Sequence, residues 1–295
     1  MIIYLDQNKW ISLASMVHGK DSSPQAQRVL RAFDAVDGKE VITPLSQCHY
    51  METARVVNVG RRQRLGAVMW GYSRGITIAN HRAIVSHEVS RALAKLMPEV
   101  QVVPLNLLGY GVAHVFDLPP SSPAVAPFQH IIEPSFFTGN AALGMEPPMF
   151  PQTSGRQAFR DFLSRLHVRK AELPRRQWDD WLHAIVLADI IDPITQCFID
   201  NKLPADTISR LGKEGMTELI QNMPSRRVDL HLLREVLRNE KYKPKDTDLE
   251  DWVGVGTASC YCDVVVCEKH MADMLRRSHF TSRARIVTDL GEVFT

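Results

Sequence analysis

The chain reads as an α/β protein with a parallel sheet. Three observations point there: an apolar run at the very start, a β-branched run that follows the first helical stretch, and a valine triplet near the end set between helical segments. "MIIYL" has the length and content of a buried strand and runs straight into Asp6. From Asn8 to about Val36, residues Ile11, Leu13, Met16, Val29, Leu30, Phe33 and Val36 recur at helical spacing. "EVITPL" is β-branched enough for a second strand, and Ser46 then stands where a helix N-cap belongs, ahead of "QCHYMETARVV". Strand, helix, strand, helix favours parallel pairing.

Between about Pro98 and Pro151 the text turns to "DLPPSSPAVAPF" and "GMEPPMFP", proline- and glycine-rich and without a period, which reads as loop and linker. Helical segments are expected at roughly 155–172, 175–191 and 206–222, the second carrying Trp178, Trp181, Leu182 and Ile185. "VDLHLLREVLRNEKY" and "DTDLEDWVGVGTASCY" then read as helices, "CDVVVCE" as a strand, "KHMADMLRRS" as a last helix and "ARIVTDL" as a terminal strand. The sheet is therefore expected from both chain ends, with a core of 1–97 and 223–295 and a loop-rich, then helical, insertion over 98–222. No internal repeat is visible.

At 295 residues the chain can bury a sizeable core, and 45% apolar with 23% charged residues is ordinary globular composition. A formal net charge of +2 excludes a globally polycationic protein, so any nucleic-acid surface must be local. The N-terminus lacks the basic segment and long apolar run of a signal peptide, and no apolar stretch is long enough to span a membrane. Five cysteines, an odd number, suit a reducing compartment better than a disulfide framework, and a cytoplasmic location is expected.

The candidate chemistry is acidic. Asp6 lies at the carboxyl end of the first strand, the sheet edge where ligand sites gather, although an aspartate there also serves as a helix cap. Glu52 sits early on the helix after the second strand. Asp248 and Asp251 are three apart and share one face of a helix start, where acids also complement the helix dipole. Asp263 precedes the valine triplet and Glu268 follows it; a regular strand would bring only one of the two to the site. Four carboxylates held together repel one another, and a hard divalent cation, Mg²⁺ or Mn²⁺, is the usual remedy. Such an ion also activates water and neutralises charge in phosphodiester hydrolysis.

In "IIYLDQNKWISL", "TPLSQCHYMETAR" and "DLEDWVGVGTASCYCDVVVCEKHMADML" the chain resembles the PIN-domain family of metal-dependent ribonucleases, which includes many bacterial toxins. The resemblance covers about residues 1–70 and 225–295. It implies a three-layer PIN-like parallel sheet flanked by helices, here with a helical insertion. It also implies cleavage of single-stranded RNA by Asp6, Glu52, Asp251 and Asp263, with Mg²⁺ or Mn²⁺ held by those acids together with Asp248 and Glu268. Where the family often carries a threonine and aspartate on its last acidic strand, Cys267 and Glu268 stand here. The expected partners are an RNA substrate, an antitoxin or other inhibitor protein, and a second copy of the chain, with no membrane.

Other readings use the same residues. Cys260, Cys262, Cys267 and His270 lack the paired spacing of common zinc sites and read as core cysteines beside a lone histidine. A haloacid-dehalogenase-type phosphatase would need a second aspartate two residues after Asp6, where Asn8 stands. A scaffold that binds RNA or protein without cutting would depend on no carboxylate. Arg55, Arg61, Arg62, Arg64, Arg226, Arg227, Arg276, Arg277, Arg283 and Arg285 could meet phosphates or simply be solvated. Trp10, Tyr50 and Trp252 could stack on bases or pack in the core, and His49 reads as structural.

Overall fold

The computed structural model describes residues 1–36, 41–119, 122–147, 153–204 and 206–294. It is a mixed α/β protein, mostly helical, around a small parallel sheet of three strands. The chain begins with β1 (Ile3–Leu5), α1 (Gln7–Val17) and α2 (Pro24–Val36), then α3 (Gln47–Ala54), α4 (Val59–Ser73), β2 (Ile76–Ile78) and α5 (His81–Leu96). It continues through β3 (Leu108–Tyr110), α6 (Gly111–Val115), α7 (Gln129–Thr138), α8 (Thr153–Glu172), α9 (Trp178–Ala188), α10 (Ile191–Asp200) and α11 (Thr207–Gln221). It closes with α12 (Pro224–Arg238), α13 (Asp248–Tyr261), β4 (Val264–Val266), α14 (Lys269–Arg276) and β5 (Arg285–Val287).

The sheet runs in the order β1-β4-β5, all parallel, with Leu5 opposite Val266 and Val266 opposite Val287. The first strand thus pairs with one some 260 residues later. Because β1 and β4 are buried along their whole length, they are written as continuous apolar runs. Alternation then sorts the side chains. Tyr4, Val265 and Ile286 join a core with residues of α12, α13 and α14, while Ile3, Leu5, Val264, Val266 and Val287 join a second with residues of α1, α2 and α4. Leu163, Leu166, Leu182 and Val186, from α8 and α9, belong to the first of these cores, so the middle of the chain packs onto the sheet side that carries Tyr4. A third cluster joins Val85, Val89 and Leu93 of α5 to Ile194, Phe198 and Leu219.

The structure corrects three local expectations. The helical stretch expected from 8 to 36 is two helices, because Gly19 adopts a left-handed φ of +69° after α1 and Pro24 opens α2. "EVITPL" forms no regular strand. Ile42 bridges to β1 (Ile3 N–H to Ile42 O, 2.8 Å) and Leu45 to β2 (Ile78 N–H to Leu45 O, 2.8 Å), with Pro44, which has no N–H, between them. Glu40, the first residue of that stretch, lies outside the described residues. The span expected as loop also contains β3, paired antiparallel with β2, and the helices α6 and α7. These elements have three to ten residues, too few to show a period, and α7 carries Pro134 inside it. Residues 120–121 and 148–151 of that expectation fall outside the described residues. Among the described residues no single helix is long and apolar enough to cross a membrane.

Candidate active site at the carboxyl edge of the sheet

Parallel register decides which acids meet. Asp6 follows β1 and donates its backbone N–H to Val266 O (2.9 Å), which sets it beside the carboxyl end of β4. Glu268 is two residues beyond that end and opens α14. Asn8 Nδ2 donates to Glu268 Oε1, tying the first turn of α1 to the acid. Asp6 is also the cap of α1: Oδ1 accepts Gln7 N–H at 2.8 Å, so the capping role and the site role coincide. The first turn of α13 reaches the same place, and Asp6, Asp248, Asp251 and Glu268 line one small pocket together with Tyr242 and His270.

Glu52 of α3 comes close enough to interact electrostatically with Asp6, Asp251 and Glu250. His49, fully buried on α3, fixes that helix against β1. Its Nε2–H donates to Leu5 O (2.8 Å) and its Nδ1 accepts Ser46 N–H (2.9 Å), a tautomer assigned from those partners. Burial pushes its pKa down to about 4, so it is a neutral positioning group, in line with its structural reading.

The carboxyls are perturbed as a group. Burial, followed by the charges of Asp6, Asp251 and Glu250, pushes Glu52 up to about 9. Burial and then Asp6, Glu268, Asp248 and Glu250 push Asp251 up to about 8. Asp6 rises to about 6 through burial, with Glu268 adding to the rise and the Gln7 N–H and Lys9 opposing it. Neither Glu52 nor Asp251 has a side-chain hydrogen bond or ion pair among the described residues. Asp248 differs: it is 3% exposed, and Oδ2 accepts both Tyr242 Oη–H (2.7 Å) and Lys245 N–H (2.8 Å), closing the turn that leads into α13.

Asp263 is corrected. It precedes β4, at the opposite end of the strand from Asp6, roughly 10 Å or more away along the strand. There it accepts Ile2 N–H (2.7 Å) and pairs with Arg283 (3.4 Å). Of the two acids flanking the valine triplet, Glu268 reaches the pocket.

Most of the arginines expected on an RNA surface are engaged elsewhere. Arg55 pairs with Glu250 (2.8 Å), as does Arg156 (2.6 Å). Arg226 is 1% exposed and held between Asp189 and Asp229. Arg62, Arg276 and Arg285 donate to backbone carbonyls, while Arg61, Arg64 and Arg227 stay exposed. Trp10 and Tyr50 are fully buried and Trp252 nearly so, which makes them core residues. Cys262 and Cys267 sit at opposite ends of β4, with thiols pushed up to about 12 by burial, an arrangement that separates the ligands a zinc ion would need.

No family model, curated protein or solved structure matches the chain. Function must therefore be argued from the site itself. Sequence reasoning missed Glu250, Lys9 and Tyr242. Lys9 Nζ donates to Thr288 O (2.8 Å) after β5 and lies near enough to Asp6 to lower its proton affinity. Asn8 and Lys9 directly follow Asp6, and helical spacing puts them on the turn beside it; Glu250 stands between Asp248 and Asp251 in "DLEDW", while nothing local marks Tyr242.

Proposed function

We propose that the chain is a metal-dependent endoribonuclease of PIN-like architecture that cleaves single-stranded RNA. The observation that carries this reading is the convergence of Asp6, Asp251 and Glu268 on one pocket at the carboxyl edge of a parallel sheet, with Glu52 coupled to them. Helix-borne cores on both faces of the sheet support the architecture. The donors are all carboxylate oxygens and suit Mg²⁺ or Mn²⁺. Among the described residues no three His, Cys, Asp or Glu groups are gathered closely enough to ligate one ion as they stand, so the acids would have to close on it.

Asp6, Asp251 and Glu268 are the residues that would hold the ion, with Glu52 and Asp248 beside them. When bound, a divalent ion supplies charge neutralisation at a phosphodiester and acidifies water, so no protein nucleophile is required. Asn8 orients Glu268, and His49 keeps Glu52's helix against the strand that carries Asp6. Glu52 and Asp251 hold protons near neutral pH and would have to release them for a divalent cation to be held there. Asn8 gives no support to a phosphatase reading, because its amide is bonded to Glu268 and has no proton to transfer as an acid. An inhibitor protein that restrains the activity in the cell fits this reading.

The test is degradation of labelled single-stranded RNA by purified protein with Mn²⁺. Wild type should cut, EDTA should stop it, and Glu52→Gln should be inactive while folded. Binding without cutting, unaffected by the substitution, would favour a non-catalytic RNA-binding scaffold instead.

A further inference from the structure

A second concavity, distinct from the acidic pocket, lies between α9 and α12 and encloses about 580 Å³, within the roughly 300–1,000 Å³ of small-ligand sites. Its lining includes four arginines, Arg175, Arg227, Arg234 and Arg238, against one acid, Asp179. Arg234 pairs with Asp179 (3.0 Å) and Arg238 with the buried Glu235 (2.8 Å), whereas Arg175 and Arg227 have no ion pair among the described residues. Two aromatic rings complete the wall. Phe280 stacks on His231 with centroids 4.4 Å apart and planes 13° from parallel, which fixes both rings as one platform. Trp178 carries Lys170 Nζ 4.8 Å from its ring centroid, a further cation near the cleft.

Like charge in one cleft is unfavourable unless something anionic enters it, and guanidinium pairs match the oxygens of a phosphate better than any other side chain. Flat rings next to such a group are what an unpaired base stacks on. We propose that this cleft binds a phosphorylated nucleoside unit, its phosphate on Arg175 and Arg227 and its base against Phe280 or Trp178. The unit is either one nucleotide of a single strand or a free nucleotide. Neither a cation nor cleavage at the acidic pocket is required. The two sites are neighbours all the same: Met274 lines the acidic pocket, and its carbonyl accepts from His231 Nε2 at 2.8 Å.

The experiment is equilibrium binding of a fluorescein-labelled uridine hexanucleotide to the full chain in EDTA, with competition by adenosine and uridine 5′-monophosphate. The Arg175→Gln/Arg227→Gln double variant should bind at least about tenfold more weakly, with a shallower dependence on salt. Phe280→Ala should lose about fivefold or more with its salt dependence unchanged, because stacking releases no counterions. Displacement by millimolar mononucleotide identifies a free-nucleotide site, and resistance to it identifies a strand site. Wild type that binds neither probe at low salt overturns the inference, as does a folded double variant that binds as well as wild type. The acidic pocket is scored separately, by the Mn²⁺-induced melting shift of the wild-type protein, so either reading can fail while the other stands.

Discussion

Asp6→Asn separates the cost of the buried carboxylate from its use. Asp6 is 7% exposed, and its pKa stands at about 6 against an ordinary 3.8. A folded-state pKa raised above the unfolded value means that stability is lost as pH rises through the interval between them, here from about 4 to about 6. Two units correspond to about 3 kcal/mol at pH 8, and to only about 0.5 kcal/mol at pH 4, where the unfolded carboxyl is itself largely protonated. An asparagine keeps the oxygen that caps Gln7 N–H and removes the charge. In EDTA the variant should therefore melt about 5 °C above wild type at pH 8 and nearly level with it at pH 4. Adding Mn²⁺ at about 1,000 times its dissociation constant should reverse the order at pH 8, since it stabilises wild type by about 4.1 kcal/mol, more than the variant's lead of about 3 kcal/mol, and has lost a ligand in the variant. Melting curves at both pH values, with and without Mn²⁺, decide the matter. A variant less stable than wild type at pH 8, or one whose gain is the same at both pH values, would refute the electrostatic account of this site.

The affinity for Mn²⁺, read from melting shifts, should climb roughly tenfold or more per pH unit between pH 6 and 8, because Glu52 and Asp251 must release protons to bind it. A flat profile would mean those carboxyls are already ionised. Asp263→Asn should leave Mn²⁺-dependent RNA cleavage at the wild-type rate and cost only about 0.5–1.5 kcal/mol in urea denaturation, the worth of its bonds to Ile2 and Arg283. Gly254→Ala should destabilise by about 1–3 kcal/mol, since the added methyl would meet Tyr4 Oη at 2.5 Å across the contact between α13 and β1. Wild-type stability in that variant would show that α13 can shift away from the strand.

Much of this architecture could be read from local pattern, and the failures have physical causes. "MIIYL" and "VVV" stand out as strands because both faces are buried, and "ARIV" because Ile286 and Val287 are. Helices α8, α9 and α11 to α13 carry enough turns to display a period, whereas α10 (Ile191–Asp200), expected only as the end of the preceding helix, is a separate ten-residue helix. The extended segment through Ile42 and Leu45 had strand composition, but Pro44 denies it a continuous ladder. Short elements such as β3 and α6 exist through pairing with distant partners, which a window along the chain does not contain. The same limit governs the acids. Asp6 and Asp251 are legible because one follows β1 and the other lies in the first turn of α13, whereas Glu52, inside α3, is marked only by the family resemblance. The choice between Asp263 and Glu268 turned on strand direction: once β4 runs parallel to β1, the acid that precedes it must lie at the wrong end.

The arrangement of the nearby cations supports the proposed reading of the acids over one in which they only complement a helix dipole. Arg55 and Arg156 both lie within 3 Å of a carboxylate at the start of α13, yet the one they neutralise is Glu250, whose side chain is 2% exposed. Directly beside it Asp251 has no cation, and Glu52 has none within ion-pair distance among the described residues. Were the acids present only to complement the α13 dipole, the least costly structure would let a guanidinium swing to Asp251 and lower its proton affinity. Instead both arginines are fixed on Glu250, so that neither pairs with Asp251, and Arg156 acts on Glu52 only at a distance. Leaving Glu52 and Asp251 unpaired costs folding stability at neutral pH, and a fold retains such a cost where the vacant charge is used. Glu250 with its two arginines therefore stands apart from the carboxylates that, on the proposed reading, would take up a cation.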